Sequence, residues 1–261
     1  MLDDGLNKSG EWLSVLLVHL SDLHCGPKLK EDALLEAIDE INDLGPDVVI
    51  VTGDLTEDGL INEFREAKRY LSLVKCKHLI VGSGNHDART TGYLLFPKFF
   101  GNPSSFTWTG NVAVIMLNSS RPDRDDGEIG YNQGLWMKSQ LENCREAFKI
   151  VALHHHLIPV PDTGMERNIV SDAGDLLWTL TRYGVNLVLC GHRHRPWIWT
   201  LSGLTVIHAG TVSTDRLRGF YQNTYNIIRI ENGKVSASLK VVGGQECTLD
   251  QDAIEAASSM V

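Results

Sequence analysis

Three segments set the fold: VLLVHLSDLHCG (15–26), DVVIVTGDLTEDG (47–59) and HLIVGSGNHD (78–87). Each is a short β-type apolar run that breaks into a polar loop holding glycine and acid, histidine or asparagine. Helical patterns separate them. Lys30 to Leu44 places Ala33, Leu34, Ala37, Ile38 and Ile41 on one stripe, and Gly45-Pro46 stops it. A second helix fits Ile61 to Val74. The loop anchors Asp22, Asp54 and Asn85 are 32 and 31 residues apart, one strand–helix unit each. The three loops are therefore expected on one edge of a largely parallel βαβ sheet, where open α/β sheets bind ligands.

Downstream the chain is richer in strands. Val112 to Leu117 and Ile150 to Leu153 read as strands separated by a helix near Gln133 to Phe148. A helix fits Ala173 to Tyr183, and the strand Asn186 to Leu189 leads into CGHRHRP. Four β-type runs follow: Trp197 to Leu201, Leu204 to His208, Tyr225 to Ile230 and Val235 to Val241. Gly203 and Asn232-Gly233 supply turns. With no linker or repeat, residues 1–244 read as one domain, and 245–261 as a flexible, small and polar tail.

The chain has 261 residues, 43% hydrophobic and 22% charged, with ordinary globular composition. No apolar run approaches a membrane span. Trp12 to Leu20 lacks a basic leader and reads as a buried strand. The five cysteines are odd in number and form no CxxC pair, which argues against a cysteine zinc knuckle or disulfide framework and fits a reducing cytoplasm. Cys25 reads as a small buried residue. The net charge of −9 argues against a polyanionic or membrane partner.

Five clusters end strands: Asp22 with His24, Asp54, Asn85 with His86, His154-His155-His156, and His192 with His194. Carboxylate, imidazole and amide oxygen are ligands for borderline divalent ions such as zinc, manganese and iron. Singly, each has a plainer reading as a turn, a cap or a buried histidine. Their joint placement at strand ends is what points to a metal centre.

HLSDLHCG, VTGDLTEDG, GSGNHD, LHHH and CGHRH, in that order, resemble the calcineurin-like metallophosphoesterase superfamily. Its pattern is D-x-H, G-D, G-N-H-D/E, a strand-ending histidine and G-H-x-H. The resemblance implies a four-layer α/β/β/α sandwich with two mixed sheets, the later strands suiting the second sheet. It also implies two divalent metal ions (Mn, Fe or Zn). Asp22, His24 and His194 look like ligands of the first, and Asn85, His154 and His192 of the second. Asp54 matches the bridging carboxylate, and His86 the catalytic histidine that binds no metal. His155 is the alternative to His154, and His156 stands where the family pattern often has proline.

The implied chemistry is attack of a metal-bridging hydroxide on phosphorus, with His86 protonating the leaving oxygen. The GDLTEDG and GNHD patterns are most similar to the cyclic-nucleotide phosphodiesterase and glycerophosphodiesterase branch. The expected substrate is a small soluble phosphodiester such as a 3′,5′-cyclic nucleotide. A phosphomonoester, a glycerophosphodiester, or a non-catalytic scaffold retaining the metal site are the alternatives. Two divalent ions would bring the formal total from −9 to −5 and leave a local positive excess for one phosphate. No nucleic-acid polymer or membrane is expected as partner, and a homo-oligomer is left open. Arg89, Arg121, Arg167, Arg193 and Arg195 are arginines of unassigned role. Arg193 and Arg195, alternating with His192 and His194, are expected to face away if that stretch is extended. His19 and His208 read as structural histidines, Trp197 and Trp199 as packing residues.

Overall fold

The structure, a computed structural model, describes residues 14–165, 168–220 and 222–258. The first half of the chain runs β1 (Val15–Leu20), α1 (Glu31–Leu44), β2 (Val48–Val51), α2 (Ile61–Leu71), β3 (His78–Val81), a 3₁₀ turn (His86–Ala88), α3 (Gly92–Phe100), β4 (Ser105–Thr109) and β5 (Val112–Met116). The second half runs α4 (Tyr131–Asn143), β6 (Phe148–Ala152), α5 (Ala173–Arg182), β7 (Leu187–Cys190), β8 (Trp197–Leu201), β9 (Leu204–His208), β10 (Thr224–Glu231), β11 (Lys234–Val241), β12 (Glu246–Thr248) and α6 (Gln251–Ser258).

These strands form two six-stranded sheets, ordered β12-β11-β10-β1-β2-β3 and β4-β5-β6-β7-β9-β8. Both are mixed. In the first, β1, β2 and β3 are parallel, with Leu17 opposite Val48 and Val48 opposite His78, while β10 runs antiparallel to β1. In the second, β5, β6, β7 and β9 are parallel between antiparallel edges β4 and β8.

Alternation along the strands explains the layers, because successive side chains point to opposite faces. Val15 and Leu17 of β1, Val48 and Ile50 of β2, Ile150 and Ala152 of β6 and Leu187 and Leu189 of β7 fill one core between the sheets. Val18, Leu20, Val49 and Val51 turn the other way and meet Leu34, Ala37, Ile38 and Ile41 of α1 and Phe64 and Ala67 of α2. Ala113, Ile115, Val151 and Val188 meet Met137 and Leu141 of α4 and Leu176 and Leu180 of α5. Three apolar cores thus separate four layers, the expected α/β/β/α sandwich. Gly45 ends α1 at φ 61°, a left-handed conformation where a Cβ is disfavoured, and returns its N–H to the Ile41 carbonyl.

Several elements differ from the sequence reading. The helix expected over Gln133 to Phe148 ends at Asn143; Phe148 starts β6 instead, its N–H paired with the Asn111 carbonyl and its ring in the inter-sheet core. The segment 92–109, which carries no clear periodic pattern, forms α3 and β4. α3 shows no clean apolar stripe, carries Pro97 internally, and is held by Phe96 packing edge-on against Phe64. Of the strands after His194, only β8 and β9 join the second sheet; β10, β11 and β12 return to the first. The expected flexible tail contains β12 and α6, fastened because Leu249 and Ile254 are buried in the inter-sheet core. Trp12, Leu13 and Arg167 lie outside the described residues. Among the described residues no helix is long and apolar enough to cross a membrane.

Candidate metal centre

Parallel strands send the loops after β1, β2, β3, β5, β6, β7 and β9 to one edge of the sandwich, and the predicted clusters meet there. The loops interlock through their backbones. Asp22 N–H donates to the Gly53 carbonyl at 3.0 Å, His24 N–H to Asp54 at 2.9 Å, and Gly191 N–H to His154 at 2.9 Å. Small residues permit the approach: a Cβ on Gly84 would lie 2.1 Å from Asp54 Oδ1, and one on Gly191 1.9 Å from Ser21 Oγ. Asp22, His24, Asp54, His192 and His194 all have positive φ, between 50° and 71°. Such strain at non-glycine residues persists only where surrounding structure enforces it, and it clusters at functional sites.

Two donor sets share Asp54, and a third group, His24 with Glu57 and His86, adjoins the first. Asp22, His24, Asp54 and His194 bring their ligand atoms within 4.8 Å of one another, and so do Asp54, His154 and His192. Each carboxylate commits one oxygen to a backbone N–H and turns the other inward. Asp54 Oδ1 accepts from His86 N–H at 2.9 Å, leaving Oδ2 3.3 Å from His154 Nε2 and 3.7 Å from His24 Nε2. Asp22 Oδ2 accepts from His192 N–H at 3.1 Å, leaving Oδ1 3.1 Å from His194 Nε2. Asn85 joins the second set: its Oδ1 lies 3.1 Å from His154 Nε2 and 3.0 Å from His192 Nδ1, while its amide nitrogen donates outward to Asp125.

The imidazoles are oriented the same way. His154 Nδ1 donates to the Thr52 carbonyl at 2.8 Å and His194 Nδ1 to the Arg216 carbonyl at 2.6 Å. His24 Nδ1 faces Glu57 Oε2 at 3.1 Å. A carbonyl accepts only, so in His154 and His194 the Nε2 atom carries the lone pair in the neutral ring and points inward. His24 Nε2 and His194 Nε2 then face each other at 3.1 Å, and His154 Nε2 faces His192 Nδ1 at 3.2 Å. Paired ring nitrogens converging on one point, with His154 and His194 each held by a hydrogen bond on the far nitrogen, is the arrangement a cation requires. All of these groups are buried.

Electrostatics agree. Burial raises the Asp54 carboxyl, but the charges of His154 and His86 outweigh it and hold the group well below the carboxylate range. Burial likewise opposes charge on His154, yet Asp54 and Asp22 lift it to about 9. The acids at this edge stabilise positive charge.

The structure separates the histidine triplet. His154 is in the second donor set. His155 points away, Nδ1 against Ser119 Oγ at 2.8 Å and Nε2 against the Asp125 carbonyl at 3.1 Å. His156 stacks on His192 with centroids 5.5 Å apart. His86 adjoins the sets without joining the Asp54 groups. Its Nδ1 donates to the Glu57 carbonyl at 2.5 Å and its Nε2 lies 3.4 Å from Arg216 Nη1. His19 bonds Thr52 and Asn226, and His208 is buried in the core, as expected. Arg193 and Arg195 point away from the donors, to Thr163 and to Pro161 and Asp162.

Three residues escaped sequence reasoning. Glu57 backs His24; its place three residues after Asp54 in the same loop was the available signal. Asp87 accepts N–H donors from Gly84, Leu55 and Thr56, locking two loops together, and burial with the nearby Asp54 charge raises its carboxyl to about 6. Arg216 comes from the β9–β10 connection, which carries no motif.

Residues 15–196 match the calcineurin-like phosphoesterase family. A probable cyclic nucleotide phosphodiesterase of Rhodococcus erythropolis is 30% identical over 208 residues, covering 73% of this chain and 68% of that protein. The 3′,5′-cyclic adenosine monophosphate phosphodiesterase CpdA of Pseudomonas aeruginosa is 28% identical over 199 residues, 70% of each chain. Among solved structures, a dimetal phosphatase from Danio rerio superposes with a TM-score of 0.66 at 13% identity, over 90% of this chain and 98% of that one. The matched segment begins at β1 and ends just past His194, spanning every loop that supplies a donor, and the chain belongs to the calcineurin-like phosphoesterase family.

Proposed function

We propose that this chain, a metallophosphoesterase, works as a single domain that hydrolyses a small soluble phosphodiester, a 3′,5′-cyclic nucleotide first among them. The observation carrying this reading is the pair of inward-facing donor sets that share Asp54 Oδ2. Asp22, His24, His194 and Asp54 would hold one divalent ion; Asn85, His154, His192 and Asp54 would hold the other. The donors are oxygen and imidazole without thiolate, which suits manganese, iron or zinc. When bound, the two ions supply Lewis-acid charge to phosphoryl oxygens and make water nucleophilic near neutral pH.

The chain's own groups do the rest. Asp22 and Asp54 are fixed by backbone N–H donors, so little reorganisation is needed as charge develops. The Glu57 carbonyl fixes His86 with its proton on Nδ1, and Nε2 is the atom that would hold a proton for the leaving oxygen. Beside the site, an open groove of about 890 Å³ is lined by Phe106, Asn118, Arg121, Gln133 and Trp136. The loop at its edge is joined to the site by the Ser120 hydroxyl donating to the Ser83 carbonyl. This groove would seat the organic part of the ester. The relatives named as cyclic nucleotide phosphodiesterases support that substrate class. The net charge of −9 supports a small ester over a nucleic-acid polymer, and the five free cysteines support a reducing cytoplasm.

The test is a substrate panel on purified protein supplied with manganese, iron or zinc, with metal content measured alongside. Cyclic AMP, 2′,3′-cyclic nucleotides, glycerophosphodiesters and phosphomonoesters are compared by kcat/KM. A 3′,5′-cyclic nucleotide should lead. A phosphomonoester ahead of every diester would sink the diesterase reading, and no turnover at full metal loading would favour a scaffold.

A further inference from the structure

We propose that Arg216 is the phosphate-binding cation of this site, held in place by Glu57; the inference rests on the phosphoester reading above. The arginine lies in the connection that crosses from the second sheet to the first, and both its ends reach the donor sets. Its backbone carbonyl accepts from His194 Nδ1 at 2.6 Å. Its guanidinium returns over the same edge: Nη2 pairs with Glu57 Oε1, and Nη1 stands 3.4 Å from His86 Nε2. The other Glu57 oxygen faces His24 Nδ1 at 3.1 Å, so one carboxylate fixes both a donor histidine and the arginine.

The two edges of the guanidinium are unequal. One is neutralised by a carboxylate. The other is directed at His86 Nε2 at the long distance of 3.4 Å, and the side chain is 32% exposed. An arginine donates and never accepts, so the guanidinium N–H groups on this edge, beside His86, are donors available to an anionic oxygen. A non-bridging phosphoryl oxygen is such an acceptor, and planar guanidinium donors match it geometrically.

Four other arginines, Arg89, Arg121, Arg193 and Arg195, are committed elsewhere. Arg89 binds the Glu57 carbonyl, Asp58 and Asp125. Arg121 pairs with Asp126 and Glu128. Arg193 and Arg195 fasten the segment 161–163.

The probe is inorganic phosphate. Its dissociation constant is measured by calorimetry on metal-loaded wild type, Arg216→Met and Arg216→Lys, with metal content per chain and the KM and kcat for bis-p-nitrophenyl phosphate. A charge-assisted hydrogen bond contributes enough to predict about 10- to 100-fold weaker phosphate binding in Arg216→Met. Metal content should stay at the wild-type value, and Arg216→Lys should fall between the two. KM should rise more than kcat falls. Undiminished phosphate affinity in Arg216→Met, or in Arg216→Lys if the former fails to fold, overturns the proposal. So does loss of metal, which would make Arg216 a support for Glu57 and His24 alone. If wild type binds phosphate but hydrolyses no ester, the functional reading fails, while the phosphate affinities still decide the role of Arg216.

Discussion

The loops of the first sheet bring oxygen donors to the site, Asp22, Asp54 and Asn85, together with His24; those of the second bring imidazoles alone, His154, His192 and His194. Neither half is self-sufficient. Asp22 is oriented by the N–H of His192, and His154 by the carbonyl of Thr52. Each sheet thus supplies hydrogen bonds that aim the other sheet's donors. The site is a product of sheet docking, and the inter-sheet core is what sets its geometry.

Asp54 is the point where the two halves meet, and its loss should have the largest effect. Asp54→Asn removes one carboxylate from both donor sets and is expected to weaken binding of both ions more than about 100-fold, beyond a typical second-layer change. Asp22→Asn should affect one ion. Metal analysis after dialysis checks this; equal losses in the two variants would break the asymmetry between a shared and an unshared acid.

Next is His86, supplied by the first sheet and proposed above to add chemistry rather than a donor. His86→Ala should lower turnover by about 10²- to 10⁴-fold, in the range of general acid–base catalysis, with metal content unchanged. Wild-type kcat on an ester with a poor leaving group would remove His86 from the reaction.

Asp87 tests whether the first sheet's loops need their own clamp. Asp87→Ala leaves the Gly84, Leu55 and Thr56 N–H groups without their acceptor and should cost about 3 kcal/mol. Thermal unfolding of the metal-free protein reads it directly, and an unchanged midpoint would show that the interlocked backbones suffice.

The smallest effect belongs to His155, on the second sheet. Its two hydrogen bonds are structural, so His155→Ala should cost about 1–2 kcal/mol and leave metal content intact. His154→Ala should lose one ion. Reversed metal contents would exchange the roles of these neighbours.

Much of this was legible in the chain itself. Short apolar runs ending in Asp-x-His, Gly-Asp, Gly-Asn-His and Gly-His-x-His place donors at strand ends, because parallel strands must send those ends to one edge. Asp22, His24, Asp54, Asn85, His154, His192 and His194 all arrive there. Local pattern failed where tertiary packing decides. α3 has no clean stripe, and α6 is held by Ile254, with Leu249 just before it, buried in a core the sequence cannot locate. β10 reads like any apolar strand, and only its antiparallel register against β1 returns it to the first sheet. The triplet His154-His155-His156 is chemically uniform. Backbone direction after β6 alone turns the first ring to Asp54 and the second to Ser119. Glu57 and Arg216 complete the division. Residue type supplies their charge, but the pairing of positions 57 and 216 spans 159 residues and exists only because the β9–β10 crossover brings the end of one sheet back over the other.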